Sequence, residues 1–211
     1  MVLSPELNLA PGKSIEATLA EPFDSVYEVA LSAPQKGTRK TLHNCLDYLP
    51  VENSIYSAGS ALDYQSLRSD GARCDALDLL RTAKSAANQS FRDFSLEHLS
   101  VNDLPPGLAL VIADEEQAKV DAITKRNGSI LDVDKTIRLH PKGTDKAQLF
   151  TKDWTATLTV YAHADFFGDG KEQLLLRRDS AVIGGTYTST VVFLLSRSSP
   201  TARLNIERQR P

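Results

Sequence analysis

The chain has 211 residues, of which 41% are hydrophobic and 24% charged, and its formal net charge is −3. This length allows one large domain or two small lobes, and the composition is ordinary for a globular protein. A nucleic-acid-binding protein usually carries a basic excess or a basic stripe, so the slightly acidic balance argues against that class. No apolar run approaches the roughly 18–20 residues that a membrane-spanning helix needs.

The N-terminus bears on the compartment of the protein. Its first residues contain neither the basic region nor the apolar stretch of a secretory signal peptide, which by itself indicates a cytoplasmic protein. Met1, however, is the only methionine, as expected if it was added to a mature form whose signal peptide had been removed. We therefore expect a periplasmic or otherwise extracytoplasmic protein, with a cytoplasmic location as the alternative.

The first two predicted elements lie before residue 38. Residues 14–20 alternate apolar and polar side chains, which predicts a strand. Asp24 is a candidate N-cap for a helix over residues 26–33, whose apolar side chains recur at helical spacing. A strand over residues 27–31 is the competing interpretation, and Pro34 would end either element.

Two helices are predicted next, over residues 41–49 and 60–83, and their apolar faces carry Cys45 and Cys74. Gly71 is a candidate break in the longer helix, because glycine within a helix costs about 1 kcal/mol relative to alanine. A Cys45–Cys74 disulfide would stabilise the fold by about 3–4 kcal/mol, and we favour it over two buried thiols. A zinc site is excluded because the chain has no CxxC motif and no nearby histidine pair.

A further helix is predicted over residues 114–126, with Asp114 as its N-cap. Its first turn is acidic, its last turn is basic, and Asn127-Gly128 follows as a terminator. This order of charges favours a helix because it complements the helix macrodipole.

Beyond residue 128, helical spacing gives way to alternation. The predicted strands cover Ile137 and Leu139, Ala147 and Leu149, residues 154–164, 172–178 and 186–197, and a last strand through Ala202, Leu204 and Ile206. The predicted fold is therefore a single α+β domain over residues 1–211. In it, a mainly helical N-terminal half, residues 1–128, packs on an antiparallel β-meander of five or six strands, residues 129–211.

The loop between the strands at 154–164 and 172–178 carries the most distinctive motif, Asp165-Phe166-Phe167-Gly168-Asp169-Gly170-Lys171-Glu172-Gln173-Leu174. Gly168 and Gly170 are expected to supply positive φ angles for the turn. The motif resembles the calcium loops of integrin-type (FG-GAP-like) repeats, which read roughly D-F-N-G-D-G-x-x-D-L. It departs from them at Phe167 and Gln173, where the repeats have ligands.

This resemblance implies a weak calcium site formed by Asp165, Asp169 and Glu172, since calcium takes six to eight oxygen ligands. We prefer the alternative that the aspartates and glycines have a structural role only and that the protein has no cofactor. A longer stretch, from Asp165 to Arg197, is similar to the C-terminal part of bacterial secreted and lipoprotein-like proteins that have no established activity.

Other candidates for chemistry are weaker, and the chain has no nucleophile elbow, phosphate loop or dinucleotide fingerprint. Its four histidines are scattered without metal-binding spacing: His43, His98, His140 and His163. Of these, His163 is singled out because it adjoins the loop. Three more features are expected to be structural, although they could hold a metal, bind an anion or offer a stacking surface: Asp132 with Asp134, Arg177 with Arg178, and Trp154.

These observations favour a non-catalytic bacterial envelope protein that acts by binding another protein, as an inhibitor or immunity-type protein does. The candidate contacts are two predicted exposed loops, residues 52–59 and 179–185. One alternative is a hydrolase that uses the acidic residues of the loop, with or without calcium, and it would need raised pKa values in a deep pocket. Another is a small-ligand sensor, which would need an apolar pocket between the helical half and the sheet.

Overall fold

The computed structural model describes residues 1–7, 9–10, 12–32 and 37–210, so the predicted positions Ala33 and Pro34 lie outside the described residues. The chain divides into two compact units. The large unit comprises Met1–Asn8 and Ala83–Arg210, and the small unit comprises Leu9–Thr82. The predicted boundary at residue 128 therefore falls inside the large unit, and the single domain stays a prediction.

The described residues form ten strands and five α-helices. In chain order these are β1 (Val2–Leu3), α1 (Ile15–Leu19), β2 (Pro22–Leu31), β3 (Arg39–Asn44), α2 (Cys45–Tyr48), β4 (Ile55–Ala58), α3 (Ala61–Thr82), α4 (Asp114–Lys125), α5 (Ile130–Val133), β5 (Arg138–Gly143), β6 (Lys146–Phe150), β7 (Trp154–Ala164), β8 (Gln173–Val182), β9 (Thr188–Ser196) and β10 (Asn205–Arg210). None of the helices in this part of the chain is long and apolar enough to cross a membrane.

The small unit is built on a three-stranded antiparallel sheet in the order β3-β2-β4. Alternate residues of β2, Tyr27, Val29 and Leu31, are buried and form its core face. Leu67 and Leu77 of α3 belong to the same hydrophobic cluster. The predicted disulfide is confirmed: Cys45, at the start of α2, is bonded to Cys74 of α3.

The prediction of a mainly helical N-terminal half is wrong, and with it the predicted fold class. Residues 22–31 form the strand that was the competing interpretation, so Asp24 lies within β2 and caps no helix. Residues 39–44 pair with β2 as β3, and the helix predicted from residue 41 begins only at Cys45, where the Asn44 side chain accepts the Asp47 N–H. Sheet pairing between residues distant in the chain has overridden local helical spacing.

Three further expectations in this half have mixed outcomes. The strand predicted at residues 14–20 is wrong: α1 lies there, and the Ser14 hydroxyl caps it by accepting the Ala17 N–H. The long helix α3 is confirmed, but Gly71 does not interrupt it. Gly71 is required by packing, because a Cβ atom at this position would lie 2.4 Å from the Tyr48 hydroxyl oxygen.

The large unit is built on a seven-stranded sheet. Strands β5 to β10 pair antiparallel in chain order, and β1 pairs with the end of β7 beyond the stretch that β6 covers. The central pair runs from Trp154 opposite Val182 to Ala164 opposite Gln173. Strand β8 continues to Val182, so the loop predicted at residues 179–185 is wrong for its first four residues.

Helix α4 of the large unit is confirmed, with two details at its ends. Its N-cap is Ala113 rather than Asp114, and the Glu116 carboxylate accepts the N–H groups of Ile112 and Ala113. Asn127 adopts a φ of 55° after the helix, and the Gly128 N–H returns to the Ile123 carbonyl at 2.9 Å. The predicted terminator is therefore correct.

The disulfide generates the first testable prediction. Reduction should lower the free energy of unfolding of the small unit by about 3–4 kcal/mol, because the open chain gains conformational entropy when unfolded. Urea unfolding with and without reductant measures this difference. The double variant Cys45→Ala/Cys74→Ala serves as the control and should show no response to reductant. Equal midpoints for the oxidised and reduced protein would contradict the prediction.

The packing at Gly71 generates the second testable prediction. Alanine in a helix is favoured over glycine by about 1 kcal/mol, yet Gly71→Ala should destabilise the protein by about 1–3 kcal/mol because its methyl group meets the Tyr48 ring. In a Tyr48→Leu background the same substitution should be neutral or stabilising. Thermal unfolding of the wild type, the two single variants and the double variant completes a double-mutant cycle. A Gly71→Ala variant that is more stable than the wild type would contradict the prediction.

Candidate functional site

The loop between β7 and β8 is organised by the buried carboxylate of Asp165. Its Oδ1 accepts the N–H groups of Gly168 at 2.6 Å and of Phe167 and Asp169 at 3.2 Å, and its Oδ2 accepts the Gly170 N–H at 2.8 Å. Burial alone would raise the pKa of Asp165, but these four donors outweigh it and hold the pKa below its ordinary value. Gly168 and Gly170 have φ angles of 74° and 81°, so the predicted positive φ is confirmed.

The structure gives the three predicted calcium ligands different partners. Asp169 accepts the Lys171 N–H at 3.0 Å, and Glu172 accepts the Phe91 N–H at 2.6 Å. In the part of the chain that the structure describes, no three His, Cys, Asp or Glu side chains form a group that could hold a metal ion. Calcium binding stays a prediction, which a calcium titration followed by the melting temperature would decide.

His163 near the end of β7 and Glu172, the residue before β8, are brought together beside the loop. The His163 Nδ1 lies 3.4 Å from the Glu172 Oε1, and both side chains are largely buried. The segment at residues 84–91 crosses the loop here: Lys84 exchanges backbone hydrogen bonds with Asp165, and the N–H groups of Ala87 and Asn88 donate to the Gly170 carbonyl. Hydrogen bonds thus join the loop at residues 165–172 to the segment at residues 84–91, and we call this arrangement the Asp165 brace.

The other acidic pair also has structural partners. Asp132 accepts the Ser129 N–H and pairs with Lys135, and these contacts lower its pKa to about 2. The pKa of Asp134 is lowered as well: burial opposes this, but the hydroxyl and N–H of Thr136 and the charges of two lysines outweigh it. The Asp132 carboxylate therefore caps the start of α5, and the Asp134 carboxylate holds the turn that follows this helix.

The two adjacent arginines of β8 differ sharply. Arg177 forms an ion pair with Asp179, with Nη2 2.7 Å from Oδ1. Arg178 is buried, and its Nη1 donates to the Ala109 carbonyl at 2.6 Å. Within the described residues it forms no ion pair with a carboxylate, and its Nε is buried without an acceptor. Burial lowers the pKa of Arg178 to about 10, so the guanidinium stays charged at neutral pH.

A cleft of about 500 Å³ opens in the large unit beside Trp154, and we name it the Trp154 cleft. Its apolar lining includes Leu110, Val120, Trp154 and Val182, which come from the segment before α4, from α4 itself and from β7 and β8. The predicted structural role of Trp154 is confirmed by its place in the core cluster. Sequence reasoning missed the cleft, because its lining residues are up to 73 positions apart in the chain, from Ala109 to Val182.

The second feature that the sequence concealed is an exposed strand edge. Residues 52–59 are not a loop: a 3-10 turn at Glu52–Ser54 leads into β4, which pairs with β2 and is one of the two edge strands of its sheet. Tyr56 is the extra residue where the register with β2 shifts, and 76% of it is exposed. The β-branched Ile55 and the aromatic Tyr56, both common in strands, were the only local signal for a strand here.

A scan against models of protein families and searches of curated proteins and of solved structures each gave no match.

The Asp165 brace generates the third prediction. A carboxylate whose folded pKa is lowered stabilises the fold above its unfolded pKa, about 4, and this contribution is lost as the pH falls through the folded pKa. Asp165→Asn should therefore lower the melting temperature at pH 7, and the difference from the wild type should shrink towards pH 2. Asp169→Asn is the matched control, because Asp169 accepts a single loop N–H and should show a smaller effect. A pH-independent difference for Asp165→Asn would exclude the charge as the cause.

Proposed function

We propose that this chain is a non-catalytic extracytoplasmic protein that binds an extended segment of another protein along β4, as an inhibitor or immunity-type protein does. The observation that carries the proposal is Tyr56, an aromatic side chain that is 76% exposed on an edge strand. Edge strands present unpaired backbone N–H and C=O groups that a partner strand can use. Tyrosine is among the residues that most often dominate binding energy at protein interfaces.

A second exposed apolar residue supports the same surface. Leu62, in the first turn of α3, is 74% exposed and lies only six residues after Tyr56. Helix α3 contacts β4 within the small unit, and we infer that Leu62 extends the surface that Tyr56 begins. A partner segment added to β4 would have an aromatic and an aliphatic contact beside its backbone hydrogen bonds, which combines affinity with side-chain selectivity.

The Cys45–Cys74 disulfide supports the proposed location. Disulfides persist in oxidising compartments such as the periplasm and are reduced in most cytoplasms. The disulfide also joins α2 to α3 within the small unit, the unit that carries β4. We infer that the binding surface is kept rigid by a bond that only an oxidising compartment maintains.

The loop offers less support for a hydrolase. A carboxyl group that acts as a general acid near neutral pH needs a raised pKa, whereas the pKa of Asp165 is lowered and its two oxygens are occupied by four N–H donors. We therefore propose binding rather than catalysis.

The fourth prediction tests the β4 surface. The purified oxidised chain, used as bait in an extracytoplasmic extract of the source organism, should retain a protein whose affinity falls at least about tenfold in Tyr56→Glu, as for an interface hot spot. The matched control is Tyr187→Glu, since Tyr187 is an exposed tyrosine of the large unit and should bind like the wild type. Both substitutions lie at exposed positions, so equal melting temperatures would show that folding is unchanged.

The mode of binding has its own measurement. On addition of the retained partner, hydrogen exchange should slow at the backbone amides of Ile55–Ala58 and stay unchanged in β10, an edge strand of the other sheet. The proposal fails if no protein is retained, if binding survives Tyr56→Glu, or if protection appears elsewhere and leaves β4 unaffected.

A further inference from the structure

Two small cavities of the large unit adjoin at Asp103, which lines both of them. The first has a volume of about 330 Å³ and lies between residues 92–103 and residues 197–202. The second has a volume of about 370 Å³ and lies between residues 103–107, the end of α4 with the turn that follows it, and residues 203–206. Each volume is within the range of roughly 300–1,000 Å³ that is typical of small-ligand sites. Because the two cavities follow the same segments of chain, we call them together the Asp103 groove.

Planar polar side chains line the Asp103 groove, each with two or more hydrogen-bonding atoms side by side. They include two carboxylates, two carboxamides and two guanidinium groups: Asp93, Asp103, Asn127, Asn205, Arg92 and Arg203. Among the residues that the structure describes, the side chains of Asp93, Asp103 and Asn205 form no hydrogen bond or ion pair, and none of the three residues is buried. Their hydrogen-bonding atoms are therefore available to a ligand.

The charges around the groove are balanced. Three arginines and two aspartates line it, and the Glu172 carboxylate is an electrostatic neighbour of one of the arginines, Arg197. Arg197 is held by the protein itself, since its Nη1 donates to the Pro200 carbonyl at 2.6 Å and its guanidinium lies 5.1 Å from the centre of the Phe94 ring. A balanced lining that offers both donors and acceptors favours a neutral ligand that also does both.

A sugar ring has this combination of properties. Each hydroxyl group donates and accepts hydrogen bonds, and two neighbouring hydroxyls can contact both oxygens of one carboxylate or two N–H groups of one guanidinium. The C–H groups of the ring need apolar surface, which Phe94 and Leu99 offer in the first cavity and Pro106 and Ile206 in the second. The lining therefore matches both the polar rim and the apolar face of a pyranose.

From these observations we propose that the Asp103 groove binds a neutral oligosaccharide, with sugar rings in both cavities. Asp103 lies where the cavities adjoin, so its carboxylate accepts from the hydroxyls of adjacent rings. This site lies within the large unit and is independent of the proposed protein contact along β4, so either proposal can fail without the other.

The probes are three neutral trisaccharides: cellotriose, maltotriose and triacetylchitotriose. At least one of them should cause saturable NMR shifts of the backbone amides at residues 92–103 and 200–206 of the full chain, with a dissociation constant on the order of 1 mM or lower. Its monosaccharide should bind at least about tenfold more weakly, because it occupies one cavity only. Two charged trisaccharides, trigalacturonate and the glucosamine trimer, should bind at least about threefold more weakly, since the groove has no net charge to offset their desolvation.

Two pairs of variants test the named residues. Asp103→Ala should weaken binding at least about tenfold, because a charged acceptor is lost, whereas Glu115→Ala, which removes an exposed carboxylate of α4 outside the groove, should match the wild type. Asn205→Ala should weaken binding about three- to tenfold, whereas Gln209→Ala, an exposed position on the same strand and outside the groove, should have no effect. Equal melting temperatures would show that folding is unchanged, and the Asn205 pair remains decisive if Asp103→Ala does not fold.

Four results would overturn the proposal: no saturable shift with any of the three neutral trisaccharides in the millimolar range, shifts confined to residues outside the groove, charged trisaccharides that bind as well as the neutral ones, or variants of each pair that behave alike.

Discussion

The large unit depends on one carboxylate that holds backbone in place. Asp165 ends the pairing of β7 with β8, the two central strands of the seven-stranded sheet, and its oxygens collect four consecutive N–H groups of the turn. These N–H groups belong to residues that are exposed or half-buried, so the carboxylate replaces water as their acceptor and fixes the conformation of the turn. The same turn then receives the segment at residues 84–91 through the Gly170 carbonyl and the Glu172 carboxylate. One acidic side chain therefore fixes the turn, and the turn positions the chain that crosses it.

The small unit has a different constraint, which is covalent and steric. The disulfide joins α2 to α3, and the absence of a side chain at Gly71 lets the Tyr48 ring lie against α3. Tyr48 is the last residue of α2, three positions after Cys45. The short helix α2 is thus attached to α3 at both of its ends, by a bond at one and by a ring at the other. This attachment explains how a helix of four residues keeps its place, since so short a helix is not stable by itself.

The parts of the fold that could be read from the sequence are those with strong local patterns. Residues 154–164 alternate without interruption, and β7 has the predicted bounds. Helix α4 has charges and a terminator that agree with its macrodipole. In the N-terminal half the patterns conflict: Val29 fits both a helix face and a strand face, and the choice was made by its pairing with Lys40 and Ala58. Such pairing joins distant residues, so local spacing could not reveal that the chain would form a second sheet.

The same difference between local patterns and long-range contacts applies to the Asp165 loop and the Trp154 cleft. The Asp165 loop is contiguous in the chain, so its motif and its two positive-φ glycines were visible in the sequence. Its hydrogen bonds to the segment at residues 84–91 were not visible, because that segment is distant in the chain. The Trp154 cleft is assembled from Leu110, Val120, Trp154 and Val182, and no local pattern unites them.

Arg178 shows what the fold adds to the sequence. As half of an arginine pair it looked like a solvated strand end, but the structure buries it beneath Ala109 without a carboxylate. An interior packed only for stability would more readily hold an apolar side chain there, because an unpaired buried charge is costly. Its retention is understandable from its contacts, since Nη1 donates to the carbonyls of Gly107 and Ala109 and the guanidinium lies 5.3 Å from the centre of the Phe193 ring. The buried arginine therefore holds the segment before α4 against β8.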